Sequence, residues 1–436
     1  MSAIIPLPSQ ALPLPEFYYD HTRSCCWSKN SQGGWIQKNE ASIKRELRAA
    51  GYSSRQGQAE LVTQLDQILI RIQNENDVAF AGSLAGYSKG VHEVGGQRIL
   101  VTESPTLILP KEGPWPVISA ILEGLLNDPI QDQRLFLYGW LKVAIEALRT
   151  NSRRSGQAMA ITGPHNCGKS VLQNQIFTPL LGGRVAKPYQ FMTGGTPFNA
   201  DLFGAEHLTI EDEAASTDLR SRRHFGANLK NITVNDVQRH HAKNRGALSM
   251  TPFWRLSITV NDEPENLMIL PVIDDSIEDK IILLKANKKD MPMPTNTDDE
   301  RKRFQETIQS ELPAFMAYLL AWEIPEELKS RRFGITHYHH PEILSAIDDL
   351  APERRLLTLI DGEIFKEMQF SNWEGTSEEL ERKLTSNEAE CAYEARRVLS
   401  FNTACGVYLA RLAKKVPERI SERRTKAGRQ WTIKPN

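Results

Sequence analysis

The run Gln157-Ala-Met-Ala-Ile-Thr162 leads without a break into Gly163-Pro-His-Asn-Cys-Gly-Lys-Ser170. The first run is apolar enough for a buried strand, and the second matches the pattern G-x-x-x-x-G-K-S at every fixed position. From Ser170 to Leu181 the pattern is helical, and Gly182-Gly183 marks its end. A strand, a glycine-bearing loop and a helix in this order predict a phosphate-binding loop in an α/β domain.

The predicted loop provides the groups that a nucleoside triphosphate needs. Its glycines let backbone N–H groups approach the phosphates, and the following helix adds the positive end of its dipole. We expect Lys169 to contact the β- and γ-phosphates of ATP and the Ser170 hydroxyl to bind Mg²⁺. So short a pattern also arises by chance, but its position between a strand and a helix favours function. The predicted nucleotide-binding residues are Gly163, Pro164, His165, Asn166, Cys167, Gly168, Lys169 and Ser170.

Three carboxylates follow the next β-like run, His207-Leu-Thr-Ile210, about forty residues after the loop. They are Glu211, Asp212 and Glu213. Nucleotide hydrolases of this kind hold Mg²⁺ with a carboxylate at the end of such a strand. We therefore assign Asp212 to the metal and Glu213 to polarising the attacking water as general base. A solvated acidic turn is the alternative, and the division of roles among the three carboxylates stays open.

A third β-like run, Arg255–Val260, ends at Asn261. An asparagine at a strand end can hold a water or contact the γ-phosphate, so Asn261 is a candidate catalytic residue. A turn-forming asparagine ahead of Asp262 and Pro264 explains the same residue equally well on local grounds.

These three strand ends, in this order, resemble the Walker A, Walker B and C motifs of superfamily 3 helicases of viruses, phages and plasmids. Between the last two, residues 229–233, Lys243 and residues 251–253 resemble the B′ motif of that family. In the family, B′ carries a hairpin whose basic residues touch single-stranded DNA in the channel of a hexamer. The resemblance therefore implies a homo-hexamer, and a basic polar loop also suits phosphate contacts on physical grounds. A solvated surface loop is the alternative. The candidate DNA-binding residues of this region are Lys230, His241, Lys243 and Arg245.

The chain departs from the family pattern in two places. The family has an arginine just before its last core strand, where it serves the neighbouring subunit's ATP, whereas this chain has Lys280. Lysine supplies the charge but not the planar fork of arginine. The resemblance thus implies either Lys280 or one of Arg220, Arg222 and Arg223. The N-terminal part is also short for a primase domain of this family and shows no persuasive catalytic carboxylate pair, so we predict no priming activity.

The last sixty or so residues predict three short helices and a hairpin. A capping box, Thr376-Ser-Glu-Glu379, opens the first helix, and the hairpin turns around residues 425–428. This order is typical of a winged helix–turn–helix. Basic residues concentrate in the third helix and the hairpin, which favours duplex DNA contact, with protein contact as the alternative. The DNA-binding candidates here are Lys414, Lys415, Arg423, Arg424 and Lys426.

Composition limits these predictions. With 53 Lys and Arg against 54 Asp and Glu, the formal net charge is −1, so any nucleic-acid surface must be local. Five cysteines without regular spacing favour reduced thiols over disulfides or a zinc site. No run approaches the ~20 apolar residues of a membrane span, and the N-terminus does not resemble a signal peptide. We predict a cytoplasmic protein without membrane contact.

The predicted fold class is an α/β P-loop (AAA+-like) ATPase core with a small α+β N-terminal domain, a helical linker and a C-terminal winged helix. Residues 193–199 and 315–341 also resemble the phage and plasmid primase–helicase branch of the family. The predicted boundaries of the five segments are 1–112, 113–152, 153–295, 296–365 and 366–436.

The leading functional hypothesis is an ATP- and Mg²⁺-dependent DNA helicase or replication protein of a phage, plasmid or other mobile element. It would translocate on single-stranded DNA as a ring, with a primase or another replication protein as a further partner. The rival is a DNA-binding initiator or regulator that ATP switches and that unwinds nothing. Hydrolysis stimulated by single-stranded DNA separates the two. A nucleic-acid-sensing ATPase of a defence system is a third hypothesis.

Overall fold

The computed structural model describes residues 16–56, 62–152, 154–211, 213, 219–243, 246–366, 371–425 and 428–435. These residues divide into two units. The first holds the described residues of Met1–Glu213, Arg223–Val260 and Ile277–Tyr338. The second holds those of Ala214–Arg222, Asn261–Ser276 and His339–Asn436. The finer division into five segments stays a prediction.

The N-terminal part of the first unit contains two small sheets and two helices. The first sheet has the order β3-β2-β1-β4, and the second has the order β5-β7-β6. Their strands are β1 Phe17–Asp20, β2 Cys25–Lys29, β3 Trp35–Lys38, β4 Asp77–Val78, β5 Phe80–Gly82, β6 Gly90–Val94 and β7 Gln97–Val101. The helices Glu40–Ala49 and Gln64–Glu75 begin at side-chain caps, Asn39 and Thr63. Such caps satisfy backbone N–H groups that have no partner within the helix.

A five-stranded sheet with the order β14-β8-β13-β10-β9 forms the centre of the first unit. Its strands are β8 Ala158–Gly163, β9 Val185–Ala186, β10 His207–Glu211, β13 Arg255–Asn261 and β14 Ile281–Lys285. The pairs β14–β8, β10–β13 and β10–β9 are parallel. All six residues of β8 are buried, as expected for a parallel strand that is covered on both faces. The predicted α/β core is confirmed.

Two short strands, β11 Gln238–His240 and β12 Leu248–Met250, pair antiparallel outside this sheet. A second small pair, β15 Lys329–Ser330 and β16 Gly334–Ile335, follows later in the first unit. The helices of this part are Pro116–Leu126, Arg134–Arg149, Tyr189–Met192, Asp298–Ala321 and, from Arg223 onward, Leu219–Val234. A short 3₁₀ helix covers Ala200–Gly204.

Three long helices, Pro116–Leu126, Arg134–Arg149 and Asp298–Ala321, pack with the central sheet into one hydrophobic core. Their buried residues include Leu122, Trp140 and Phe315. The last of these helices begins at a capping box between Thr297 and Glu300. Burial of this apolar stripe anchors the helices to the sheet.

The second unit carries its own core. Its sheet has the order β17-β19-β18, made of β17 Trp373–Gly375, β18 Ile420–Thr425 and β19 Gly428–Ile433. Its helices are Pro264–Leu267, Pro341–Asp349, Pro352–Glu363, Ser377–Thr385, Ala392–Val398 and Ala404–Lys415. The predicted capping box between Thr376 and Glu379 is present. The winged helix stays a prediction, which did not include β17.

The five cysteines form no disulfide, and four of them are buried. Burial raises the pKa of the thiol of Cys26 to about 11 and that of Cys405 to about 12. The pKa of Cys391 is also raised to about 11, by burial and by Glu363. No helix within the described ranges combines the length and the apolar character that a membrane span needs.

Candidate nucleotide-binding site

The end of β8 and the start of the next helix enclose the predicted phosphate loop. At Gly163 a Cβ atom would lie 2.4 Å from the main-chain oxygen of Ala286, so only glycine fits there. Gly168 has a φ of +105°, in the left-handed region that glycine adopts without steric cost. A helix begins directly afterwards at Lys169. The chain therefore follows the predicted order of strand, loop and helix.

Lys169 lies inside this loop with only 7% of its surface exposed. Its Nζ donates hydrogen bonds to the carbonyl oxygens of Gly163, at 2.7 Å, and Pro164, at 2.8 Å. It also lies 3.7 Å from the sulfur of Cys167. Carbonyl oxygens replace part of the hydration that a buried ammonium group loses. A positive charge is thus held within the loop, with His165, Asn166 and Ser170 exposed around it.

The helix after the loop contains one wide segment. It is α-helical over Lys169–Val171, π-helical over Leu172–Phe177 and α-helical again over Thr178–Leu180. Gln173 lies in the π segment and is fully buried. Its Nε2 donates to the hydroxyl of Ser257 at 2.7 Å, and its Oε1 accepts from the hydroxyl of Thr259 at 3.3 Å. One buried amide therefore connects the loop's helix to β13. Segments of π-helix are frequent at functional sites.

His207, at the start of β10, extends this connection. Its Nδ1 is hydrogen-bonded to the hydroxyl of Thr178 at 2.8 Å, and its Nε2 to that of Ser257 at 2.7 Å. Complete burial lowers the pKa of His207 to about 3, so the ring is neutral at physiological pH. The helix, β10 and β13 thus share an uncharged polar contact.

The acidic end of β10 lies beside β13. Glu211 is opposite Thr259 in the parallel register, and it accepts a hydrogen bond from Nδ2 of Asn174 at 3.1 Å. Glu213 is half-buried. The predicted metal ligand Asp212 lies outside the described residues. Within those residues no group of three His, Cys, Asp or Glu side chains could hold a metal ion. The assignments of Asp212 and Ser170 to Mg²⁺ therefore stay predictions.

Asn261 is the last residue of β13, as the sequence predicts, and it belongs to the second unit. Arg222, one of the alternatives to Lys280, lies in the same unit and is buried. Its Nη2 donates to the carbonyl oxygen of Leu270 at 3.2 Å and its Nη1 to that of Leu350 at 3.3 Å. The Arg222 guanidinium thus donates hydrogen bonds to main-chain carbonyl oxygens of its own unit. Its neighbours Arg220 and Arg223 are exposed.

Lys280 precedes β14 and is buried, and its Nζ lies 2.5 Å from Oδ1 of Asp279. The other carboxylate oxygen, Oδ2, accepts from Nη1 of Arg332 at 2.7 Å. Burial acts to raise the pKa of Asp279, but Lys280 and Arg332 together hold it below its ordinary value. Arg332 also lines a polar cavity of about 540 Å³, together with Arg154. Sequence reasoning identified Lys280 but not these two arginines.

The predicted DNA hairpin corresponds to β11 and β12. Lys243 is exposed in the turn between them, and Lys230 is half-buried on the helix Leu219–Val234. His241 is hydrogen-bonded through Nδ1 to the carbonyl oxygen of Pro197 at 3.2 Å. Arg245 lies outside the described residues. His241 and Lys243 therefore both lie at the start of the turn that follows β11.

The C-terminal candidates differ in their surroundings. Lys415 forms ion pairs with Asp348 and, at 3.4 Å, with Glu353. Lys414 is exposed and lines a cavity of about 440 Å³. Arg423 and Arg424 are exposed on β18, and Lys426 lies outside the described residues. Acidic side chains, Glu378 and Glu381, line the same cavity as Lys414.

Comparison with solved structures identifies the fold. The apo A form of the NrS-1 C terminal region has a TM-score of 0.54 and 12% sequence identity, over 97% of this chain and 96% of that chain. A second apo structure of that region, residues 305–718, gives 0.52 and 13% over the same shares. The chain has the fold of the NrS-1 C terminal region. The helicase SCCmec type IV Cch, with a TM-score of 0.31 and 10% identity over 92% of this chain and 73% of that chain, carries no weight.

Sequence comparison adds little. Residues 161–276 match a family model described as a family of unknown function, DUF5906. This match begins at Ile161 and includes the phosphate loop, the acidic end of β10 and the hairpin. It covers well under half of the chain. No curated protein matches.

Proposed function

We propose that the chain is an ATP- and Mg²⁺-dependent DNA helicase of the superfamily 3 type, a replication protein of a phage, plasmid or other mobile element. The observation that carries this proposal is the phosphate loop, in which Lys169 lies at the centre of a glycine-bearing turn at a helix N-terminus. Backbone N–H groups and a lysine at such a place suit a triphosphate.

The carboxylates after β10 support hydrolysis. In the sheet only β13 separates β8, which leads to the loop, from β10, which leads to the acidic residues. Bound Mg²⁺ would neutralise charge on the β- and γ-phosphates. We assign Ser170 and Asp212 to holding it, Glu213 to orienting the attacking water, and Asn261 to the γ-phosphate side.

The cations around Asp279 suit the neighbouring subunit's nucleotide in a homo-hexamer. Asp279 holds Lys280 and Arg332 together, and Arg332 shares a cavity with Arg154. Arginine provides the planar fork that Lys280 lacks. We therefore assign the trans-acting role to Lys280 and Arg332 jointly. Arg332→Ala should lower kcat at least about tenfold and leave ATP affinity unchanged. Its exposed neighbour, in Arg331→Ala, provides the matched control.

The DNA-binding part of the proposal rests on charge and exposure. Lys243 is exposed at the hairpin tip, with Lys230 and Arg245 as further contacts to single-stranded DNA. Exposed Lys414, Arg423 and Arg424 suit the phosphates of duplex DNA. The three residues of the second unit favour a second candidate function, a replication initiator that is regulated by ATP binding and has no unwinding activity. Cytoplasmic location and a primase or other replication partner belong to the same proposal.

One experiment separates the two functions. ATP hydrolysis would be measured with and without single-stranded DNA, alongside unwinding of a forked duplex, for the wild type and Lys169→Ala. Lys187→Ala, an exposed lysine of the same unit, is the control. DNA-stimulated hydrolysis with unwinding, both abolished only in Lys169→Ala, supports the helicase. Duplex binding without unwinding rejects the helicase and supports the initiator.

A further inference from the structure

The β11–β12 hairpin has too few residues to hold its own shape. Each strand has three residues, paired as Gln238 with Met250, Arg239 with Ser249, and His240 with Leu248. A two-stranded ribbon of this length is marginal in water. Something outside the hairpin must therefore fix its position.

Asn199 provides that anchor from outside the hairpin. Its side chain and its backbone N–H make three hydrogen bonds, all to main-chain groups of the hairpin's first arm. The backbone N–H of Asn199 donates to the carbonyl oxygen of His241 at 3.1 Å. Its Oδ1 accepts from the N–H of His241 at 2.8 Å, and its Nδ2 donates to the carbonyl oxygen of Arg239 at 3.0 Å. A carboxamide accepts and donates at once, and this one is only 5% exposed.

The residue between the two clamped positions is packed as well. The ring of His240 is buried and lies edge-on to Phe80 of β5, at 5.2 Å, and to Phe203, at 4.9 Å. Phe203 belongs to the 3₁₀ helix that follows Asn199 directly. Aromatic pairs of this geometry stabilise a packed contact beyond the apolar area that they bury.

The segment that makes both contacts leads into β10. Asn199 and Phe203 stand only a few residues ahead of His207, the first residue of that strand. The strand ends at Glu211, beside the predicted metal and water residues. The first arm of the hairpin is thus attached to the chain segment that leads into β10, about forty residues earlier in sequence.

We propose that Asn199 is a positioning residue. It fixes the β11–β12 hairpin, which we assign to DNA binding, to the chain segment that leads into β10, so that the hairpin and this segment move as one body. The proposal rests on the proposed function, because it gives the hairpin a role in coupling DNA contact to hydrolysis. Asn199 touches neither nucleotide nor DNA in this assignment. It acts through the backbone of Arg239 and His241.

The test compares Asn199→Ala and Asn199→Asp with the wild type. Asp keeps the shape and the acceptor for His241 but replaces the donor to Arg239 with a negatively charged oxygen. We expect single-stranded DNA affinity to fall about tenfold in both variants, since backbone groups lose their partners. DNA stimulation of hydrolysis should fall with it, whereas basal hydrolysis should stay within about twofold. Asn76→Ala is the control, because its Nδ2 donates to one carbonyl oxygen, that of Phe17, in the N-terminal sheet.

Hydrogen–deuterium exchange of residues 238–250 gives a readout that needs no activity. Faster exchange there in Asn199→Asp, with the rest of the chain unchanged, supports the positioning role of Asn199 even if the wild type neither hydrolyses ATP nor binds DNA. Faster exchange in the variant of an inactive protein would reject the proposed function but not the positioning role of Asn199. The positioning role is rejected if the hairpin of Asn199→Asp exchanges at the wild-type rate. It is also rejected if an active Asn199→Asp protein keeps wild-type DNA affinity and wild-type DNA stimulation of hydrolysis.

Discussion

The phosphate loop and the first arm of the hairpin are both short, but they are held in opposite ways. In the loop, Lys169 contacts Gly163, Pro164 and Cys167, each within six residues of it in sequence. In the hairpin, His241 is held by Asn199, forty-two residues away. Eight consecutive residues therefore suffice to recognise the loop, whereas no local pattern reveals what fixes the hairpin.

The loop is nevertheless less independent than its pattern indicates, and Gly163→Ala tests this. The new methyl group would lie 2.4 Å from the main-chain oxygen of Ala286, and a main chain cannot move aside as a flexible side chain does. We expect a loss of about 3 kcal/mol in unfolding free energy, and ATP affinity too low to measure. Chemical denaturation and nucleotide titration check this.

Gly362→Ala is the matched control, since nothing lies within 4 Å of a Cβ there and the residue lies in the helix Pro352–Glu363. Alanine favours helix over glycine by up to about 1 kcal/mol. A Gly163→Ala protein with wild-type stability and ATP affinity would contradict the close approach to Ala286.

His207 connects the helix after the loop to β13, and its burial predicts a pH dependence of stability. The folded pKa is about 3, below the ordinary value of about 6.5. Between these values the unfolded chain binds a proton that the folded chain does not, so stability falls as pH falls below about 6.5. From pH 7 to pH 5 we expect a loss of about 2 kcal/mol from this group.

The measurement is urea unfolding at the two pH values, for the wild type and His207→Asn. Asparagine does not titrate, so the variant should lose about 2 kcal/mol less over this interval, whatever its stability at pH 7. Equal losses in the two proteins would show that His207 is protonated in the folded state.

The hairpin tip should matter for DNA without mattering for folding. Lys243→Ala removes an exposed charge, so we expect about tenfold weaker binding of single-stranded DNA and a salt slope reduced by about 1. Thermal unfolding should be unchanged. Fluorescence anisotropy at several salt concentrations provides both values, with Lys187→Ala as the charge-matched control. An unchanged slope would exclude Lys243 from the contact.

The smallest effects are expected in the second unit, where two adjacent lysines differ. Lys415 pairs with Asp348 and Glu353, so Lys415→Ala should cost about 1 kcal/mol of stability. Lys414 is exposed, so Lys414→Ala should lower the salt slope of duplex binding by about 1 and leave stability unchanged. Duplex titrations and denaturation of both variants check this. A stability loss in Lys414→Ala together with a reduced salt slope in Lys415→Ala would contradict the assignment of Lys414 to DNA.

The sequence predicts features whose causes are local. The loop, the strand before it and the capping box at Thr376 depend on neighbours within a few residues. The parallel core also follows from the order of apolar runs. Lys243 and Lys414 could be selected as exposed charges because charge patterns are visible in the sequence.

Other features depend on partners that are distant in sequence. Gln173 and His207 occupy apolar patterns, and only their contacts with Ser257 explain why polar residues stand there. Asn199 was noted only for its resemblance to a helicase branch, and β17 is three residues long with a partner far along the chain. A polar residue within a buried pattern is the one local signal that could have selected Gln173 and His207.

The raised pKa values of two thiols have a practical consequence for observing the hairpin. A thiol with a pKa of about 11, as in Cys26 and Cys391, is ionised to roughly one part in three thousand at pH 7.5, against about one in ten for an ordinary thiol. Maleimide dyes react with the thiolate. A cysteine introduced at exposed position 243 would therefore react with such a dye faster than these two thiols, and the dye would mark the turn of the hairpin.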